Sequence, residues 1–120
     1  MNRWSAVLSQ EVVAQLFANA REQALLGQSC QTPDFHPVVK LFSPWAADMW
    51  LLSEMREDGM AFGVFDHGYG TPDVGNVSMD EICALRGPRG LQVQCDPMWK
   101  PAKPLSHYAN EAGLYGRIKA

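Results

Sequence analysis

Three apolar runs of strand length, divided by turn residues, lie between Pro37 and Asp66 and organise the rest of the chain. They read Val38-Val39-Lys40-Leu41-Phe42, Met49-Trp50-Leu51-Leu52 and Met60-Ala61-Phe62-Gly63-Val64-Phe65. Apolar runs this short, bounded by Pro, Gly, Asp and Ser, predict strands over about 38–43, 49–55 and 60–66. Pro37 suits a strand entry, because its fixed φ is extended and no ladder hydrogen bond is lost there. Ser43-Pro44-Trp45-Ala46-Ala47-Asp48 breaks the first run from the second. Arg56-Glu57-Asp58-Gly59 reads as a hairpin turn, with Asp-Gly as its signal.

A helical period precedes the strands. Val12, Val13, Leu16, Phe17, Ala20, Ala24 and Leu25 recur on one face. Ser9 is placed to cap this helix, Glu11 to complement its dipole, and Leu8 with Val13 to form a hydrophobic staple. Gly27 is the expected stop, and Cys30 to Pro33 the loop beyond it.

After the strands comes a glycine- and aspartate-rich loop over about 66–75, with a short fourth strand expected at Asn76-Val77-Ser78. Ser78 and Glu81 have capping-box spacing ahead of a short helix that ends at Gly87-Pro88. Leu91 to Asp96 alternates as a half-buried strand should, Pro97 to Pro104 is extended, and Leu105 to Ala112 is a last helix stopped by Gly113. The reading is one α+β domain over residues 1–120, with an antiparallel sheet of four to five strands, an amphipathic N-terminal helix and two short helices.

Composition agrees with a globular domain: 47% of residues are hydrophobic and 19% charged. No apolar run approaches a bilayer span, and the N-terminus has no secretory pattern, so a cytoplasmic location is expected. Cys30, Cys83 and Cys95 lack metal or redox spacing and are expected to be reduced, buried thiols. Charge is unevenly spread. Residues 48–81 carry eight acids against Arg56 alone, net −7, whereas residues 82–120 carry net +4, within a total of −3. Such polarity steers association with a charged partner.

The ordered run of motifs resembles a known family. Pro37-Val38-Val39-Lys40-Leu41-Phe42-Ser43-Pro44, Trp50-Leu51-Leu52-Ser53-Glu54 and Ala61-Phe62-Gly63-Val64-Phe65-Asp66 carry the likeness. So do Gly68-Tyr69-Gly70-Thr71-Pro72, Gly75-Asn76-Val77-Ser78, Leu85-Arg86-Gly87-Pro88-Arg89-Gly90-Leu91 and Lys103-Pro104-Leu105-Ser106. Over roughly residues 5–118 the chain is similar to the small bacterial proteins grouped as domain of unknown function 2958, departing at His67 and Met98. The resemblance implies carriage on plasmids, conjugative elements and related mobile DNA, and it transfers no catalytic residues.

Candidate chemistry is sparse. Asp66, His67 and Asp73, with Glu54 on a neighbouring strand, are the residue types of a divalent-metal site, but their spacing matches no established ligand motif. A small metal-dependent hydrolase is therefore an alternative only. Gly68-Tyr69-Gly70 lacks the following helix of a phosphate loop. Cys95 with His107, or Cys30 with His36, lies in no nucleophile motif. Arg86, Arg89, Lys100 and Lys103 around Trp99 have the make-up of a single-stranded nucleic-acid groove, a second alternative opposed by a pI of 5.5. The leading expectation is a non-enzymatic accessory protein, without cofactor, metal or membrane. It would bind a host or element-encoded protein through Trp45, Asp66, His67, Tyr69 and Asp73, with an anti-defence role such as inhibiting a CRISPR or restriction complex.

Overall fold

The computed structural model describes residues 3–26 and 34–120. Helix α1 spans Gln10–Leu26, and strands β1, β2, β3 and β4 span Val39–Phe42, Met49–Met55, Met60–Asp66 and Asp73–Ser78. Helix α2 (Met79–Ala84), the two-residue strand β5 (Gln94–Cys95) and helix α3 (Leu105–Tyr115) complete the order. The sheet is antiparallel, in the order β4-β3-β2-β1-β5. This is the α+β domain that the alternation of runs and turns predicts.

Helices cover both faces of the sheet. On one side, Val13 and Leu16 of α1 and Met79 and Ile82 of α2 pack with Val39, Leu41, Trp50, Leu52, Met55 and Ala61. On the other, Leu105, Tyr108 and Ala112 of α3 pack with Leu51 and Val64, and Ile118 joins them. Consecutive residues of β2 thus enter two cores, which explains why Trp50-Leu51-Leu52 is apolar without alternation. Each fully buried aliphatic side chain contributes roughly 1.5–3 kcal/mol.

The strand register shifts between Leu52 and Glu54, because Leu52 pairs with Gly63 and Glu54 with Phe62, leaving Ser53 as the extra residue of a β-bulge. The bulge changes parity: Trp50 and Leu52 face α1, and past it Met55 does so instead of Glu54. Asn19, buried on α1, donates from Nδ2 to Ser53 O at 2.8 Å, and its Oδ1 accepts from Gln15 Nε2 at 2.8 Å. Gly63 lies opposite the bulge, where a Cβ would run into the Leu51 carbonyl.

Several boundaries differ from the sequence reading. The Ser9 cap is present, its Oγ accepting from Val12 N at 3.3 Å, and Leu8 and Val13 are buried in one core. Gly27 and Cys30 to Pro33 lie outside the described residues. Strand β4 begins at Asp73, not Asn76, since pairing with β3 continues through Phe65↔Asp73 and shortens the loop to residues 67–72. Only Gln94–Cys95 of the expected 91–96 strand pairs, with Phe42 and Leu41. Helix α3 runs through Gly113 to Tyr115 and stops at Gly116, whose φ of 71° is the left-handed cap. Ser78 Oγ accepts from Glu81 N at 3.2 Å, as the capping motif requires.

Strand β4 is an edge. Met79 N donates to Gly59 O at 2.8 Å, which fixes the ladder phase: Val77, Gly75 and Asp73 turn their peptide groups to β3, and Val74 and Asn76 turn theirs outward. The outward N–H of Val74 is taken by Asp73 Oδ1 at 2.8 Å. A charged side chain folded onto its own edge blunts strand addition.

Three outcomes follow from this packing and from the strand edge. Replacing Asn19 by Ala leaves the bulge carbonyl buried without its donor, so urea unfolding should show a loss of about 1–3 kcal/mol. Gly63→Ala should lower the unfolding midpoint further, because backbone must move. Asp73→Ala frees the Val74 N–H, and sedimentation velocity should then show more self-association than wild type at equal concentration.

Candidate functional site

The residues singled out in the sequence divide between scaffold and surface. Asp66 ends β3 and is only 6% exposed. Its Oδ1 accepts from Gly68 N at 2.8 Å and its Oδ2 from Ile118 N at 3.1 Å, so the carboxylate ties the loop and residue 118 to the sheet. Asp73 serves the β4 edge. Trp45 is half-buried, and its indole lies so close to Gly87 that a Cβ there would strike the ring. These three side chains have local structural partners.

His67 and Tyr69 are on the surface. The His67 ring nitrogen Nδ1 is 2.9 Å from Asp48 Oδ1, and Asp48 Oδ2 accepts from Ser43 Oγ at 3.0 Å. The rings of Trp50 and Phe65 lie 6.1 and 5.7 Å from the imidazole. A carboxylate on Nδ1 orients the imidazole and leaves Nε2 free of that contact. Tyr69 is 85% exposed at the tip of the 67–72 loop.

That loop rests on the end of α3. A Cβ on Gly116 would lie 3.4 Å from Gly70 O, so the two glycines are in close approach. Their sequence neighbours, Tyr69 and Tyr115, are both exposed, the latter at 59%, and Leu114 beside it is 84% exposed. Lys119 Nζ stands 3.9 Å above the Tyr115 ring. The Tyr69, Leu114 and Tyr115 side chains thus ornament two backbone segments that support each other. Leu114 and Tyr115 were not among the sequence candidates, because Gly113 reads as a helix stop. An exposed glycine in the last turns is tolerated within a helix, at about 1 kcal/mol.

The basic segment is partly engaged within the fold. Arg86 Nη1 donates to Cys83 O at 2.6 Å and Leu85 O at 2.9 Å, at the end of α2. Lys103 Nζ pairs with Glu111 Oε2 at 3.0 Å and stands 4.7 Å over the Tyr108 ring. Trp99 packs against Tyr108 with centroids 6.0 Å apart. Arg89 and Lys100 are exposed. Arg89 has a left-handed φ of 59° in the turn after α2. Among the described residues, no salt bridge joins the acidic stretch 48–81 to the basic stretch 82–120.

Metal and nucleophile chemistry gain little from this geometry. Among the described residues, no group of three or more His, Cys, Asp or Glu side chains is arranged to hold a metal. Cys83 and Cys95 are unbonded. Burial pushes both thiols up, aided by Asp80 beside Cys83, where Arg86 opposes, and by Asp96 beside Cys95. A protonated thiol is a weak nucleophile. No helix among the described residues is long and apolar enough to cross a membrane.

The class defined by this architecture is a small α+β domain, with helices on both faces of an antiparallel sheet and an exposed aromatic corner. The chain belongs to the family described as Protein of unknown function (DUF2958), whose pattern matches residues 7–119. No curated protein and no solved structure matches it.

Asp66 supplies a direct check on the loop's rigidity. Asp66→Ala removes the acceptor for two backbone donors, one buried, and should lower stability by about 1–3 kcal/mol in denaturant unfolding. Hydrogen exchange at the Gly68 and Ile118 amides should accelerate in parallel.

Proposed function

We propose that this is a non-enzymatic binding protein. It docks a partner protein on the corner made by the 67–72 loop and the last turn of α3. The observation that carries the reading is the exposure of Tyr69, Leu114 and Tyr115 on backbone held by Asp66 and by the Gly70–Gly116 approach. Large aromatic side chains on a pre-ordered backbone lose little entropy on association, and Tyr is a frequent interface anchor. The acidic stretch left without ion pairs to the basic one adds a field for steering. His67 and Asp73 border the surface, whereas Asp66 holds the loop behind it and Trp45 packs with the α1-side core against Gly87.

A protein partner is favoured over a nucleic-acid strand by the engagement of Arg86 and Lys103 within the fold and by the net charge of −3. The metal-hydrolase alternative draws no support from Asp66, whose two oxygens accept backbone donors. The finer reading is that of an accessory protein of mobile genetic elements acting against host defence. It follows from the family resemblance and makes CRISPR and restriction complexes the first partners to try.

The test is a quantitative affinity capture in a host carrying such systems, with Tyr69→Ser/Leu114→Ser as the variant and Met98→Ser, at an equally exposed position, as control. The partner captured by wild type and by the control should fall about tenfold or more with the double variant. Equal recovery by all three proteins, in the presence of native circular dichroism, would remove the corner as the docking surface.

A further inference from the structure

A second feature lies away from the aromatic corner. Glu54 pairs with Phe62 across the sheet, four residues and roughly 13 Å along β3 from Asp66. Its half-buried side chain lines a cleft of about 290 Å³ with Gln23, Asp34, Phe35, Ser53, Phe62 and Leu105. Asp34 is already committed: its carboxylate accepts from Ser106 N at 3.1 Å and from the Ser106 hydroxyl. The Glu54 side chain makes no hydrogen bond or ion pair to another described residue.

A half-buried carboxylate without a partner is unfavourable, and burial pushes the Glu54 carboxyl up. Its position is a consequence of the Ser53 bulge, which takes Glu54 out of the α1 core and puts it level with Phe62, in a cleft walled by Gln23 at the end of α1 and by Leu105. The cleft lies just below the usual volume of a small-molecule site, a size suited to one flexible side-chain-like arm. Two phenylalanines in its wall suit a cation, whose charge is attracted to aromatic faces.

We propose that this cleft receives a cationic arm, a guanidinium or primary ammonium on a short aliphatic stem, with Glu54 as its counter-ion. The stem lies against Phe35, Phe62 and Leu105, and the Gln23 amide is positioned at the wall to accept a further N–H. The proposal is independent of the docking corner, since none of its residues belongs to the 67–72 loop or to the end of α3.

Only the ionised carboxylate attracts the arm, so affinity should rise with pH through the raised Glu54 midpoint. Among the described residues, the other ionisable groups lining this cleft and the adjoining one are Asp34, bound to Ser106, and Arg56, paired with Asp58 at 3.7 Å. Neither Gln23 of α1 nor Leu105 of α3 titrates.

The experiment is calorimetry on the full chain with two probes, agmatine and the tripeptide Gly-Arg-Gly, each against Glu54→Gln and the neighbouring exposed-site control Glu57→Gln. Saturable binding is expected, weakened about tenfold or more by Glu54→Gln and unchanged by Glu57→Gln. Saturation by agmatine indicates a free amine as ligand, and saturation by the tripeptide alone indicates a side chain of a partner; either supports the site. The same Glu54→Gln protein should melt higher than wild type at neutral pH. The raised carboxyl is neutral in both folded and unfolded chains at low pH and becomes a burden as pH rises through its folded midpoint. Failure of both probes to saturate at millimolar concentration, or equal binding by Glu54→Gln, would overturn the proposal.

Discussion

The hydrogen bond from Asn19 Nδ2 to Ser53 O holds in place the bulge on which both faces of the sheet depend. A regular β2 would send every second residue from Trp50 to the same side, placing Glu54 against α1 and Met55 away from it. One extra residue reverses that order: Met55 joins the α1 core, and Glu54 is taken out of it. The bulge frees a carbonyl from the ladder, and a buried amide on α1 supplies its donor. Gly63 then gives the room that the displaced strand needs. A single polar contact thereby sets the phase of two hydrophobic cores, because the side-chain period of a strand permits only two answers.

The same economy is visible at other irregular places in the fold. Asp66 accepts from Gly68 and Ile118, Asp34 from Ser106, and Asp80 from Trp4 Nε1 at 2.9 Å and Arg3 Nη2 at 3.0 Å. Asp66 and Asp34 thereby take backbone donors that regular structure leaves unsatisfied, and Asp80 ties the Trp4 and Arg3 side chains to the start of α2. Trp4 is buried beside the β2–β3 turn, where Gly59, with φ of 92°, leaves space for the Arg3 and Trp4 side chains. Much of the negative charge between residues 48 and 81 therefore has a local structural use, and a count of acids overstates the free field.

The elements with a strong period were legible in the sequence: α1 with its Ser9 cap, the three central strands, the Asp58-Gly59 turn and the Ser78 cap. What was not legible turned on contacts between distant segments. Asp73 reads as loop beside Gly75, yet pairing with Phe65 draws it into β4. Gly113 reads as a stop, yet the helix continues to Gly116, where the left-handed residue meets Gly70. Asp66 reads as a surface acid because its partner, the Ile118 amide, is 52 residues away. Of the candidate surface residues, Tyr69 is where its loop composition places it. Leu114 and Tyr115 depended on a helix end that local sequence misplaces.

Glu54 and Asp66 show why composition alone cannot separate structural from functional carboxylates in this family member. Both are acids at the margin of apolar strands, and both follow hydrophobic runs of similar character. Asp66 is the more buried, yet each of its two oxygens accepts a backbone N–H. Glu54 is less buried and has no such donors, so desolvation acts on it uncompensated and its carboxyl is pushed up. Burial with partners marks a latch; partial burial without them, beside a cleft, marks a site whose partner is external. The distinction rests on the hydrogen-bond inventory of each oxygen, which only the folded arrangement supplies, and the bulge at Ser53 is what places Glu54 on the unsatisfied side.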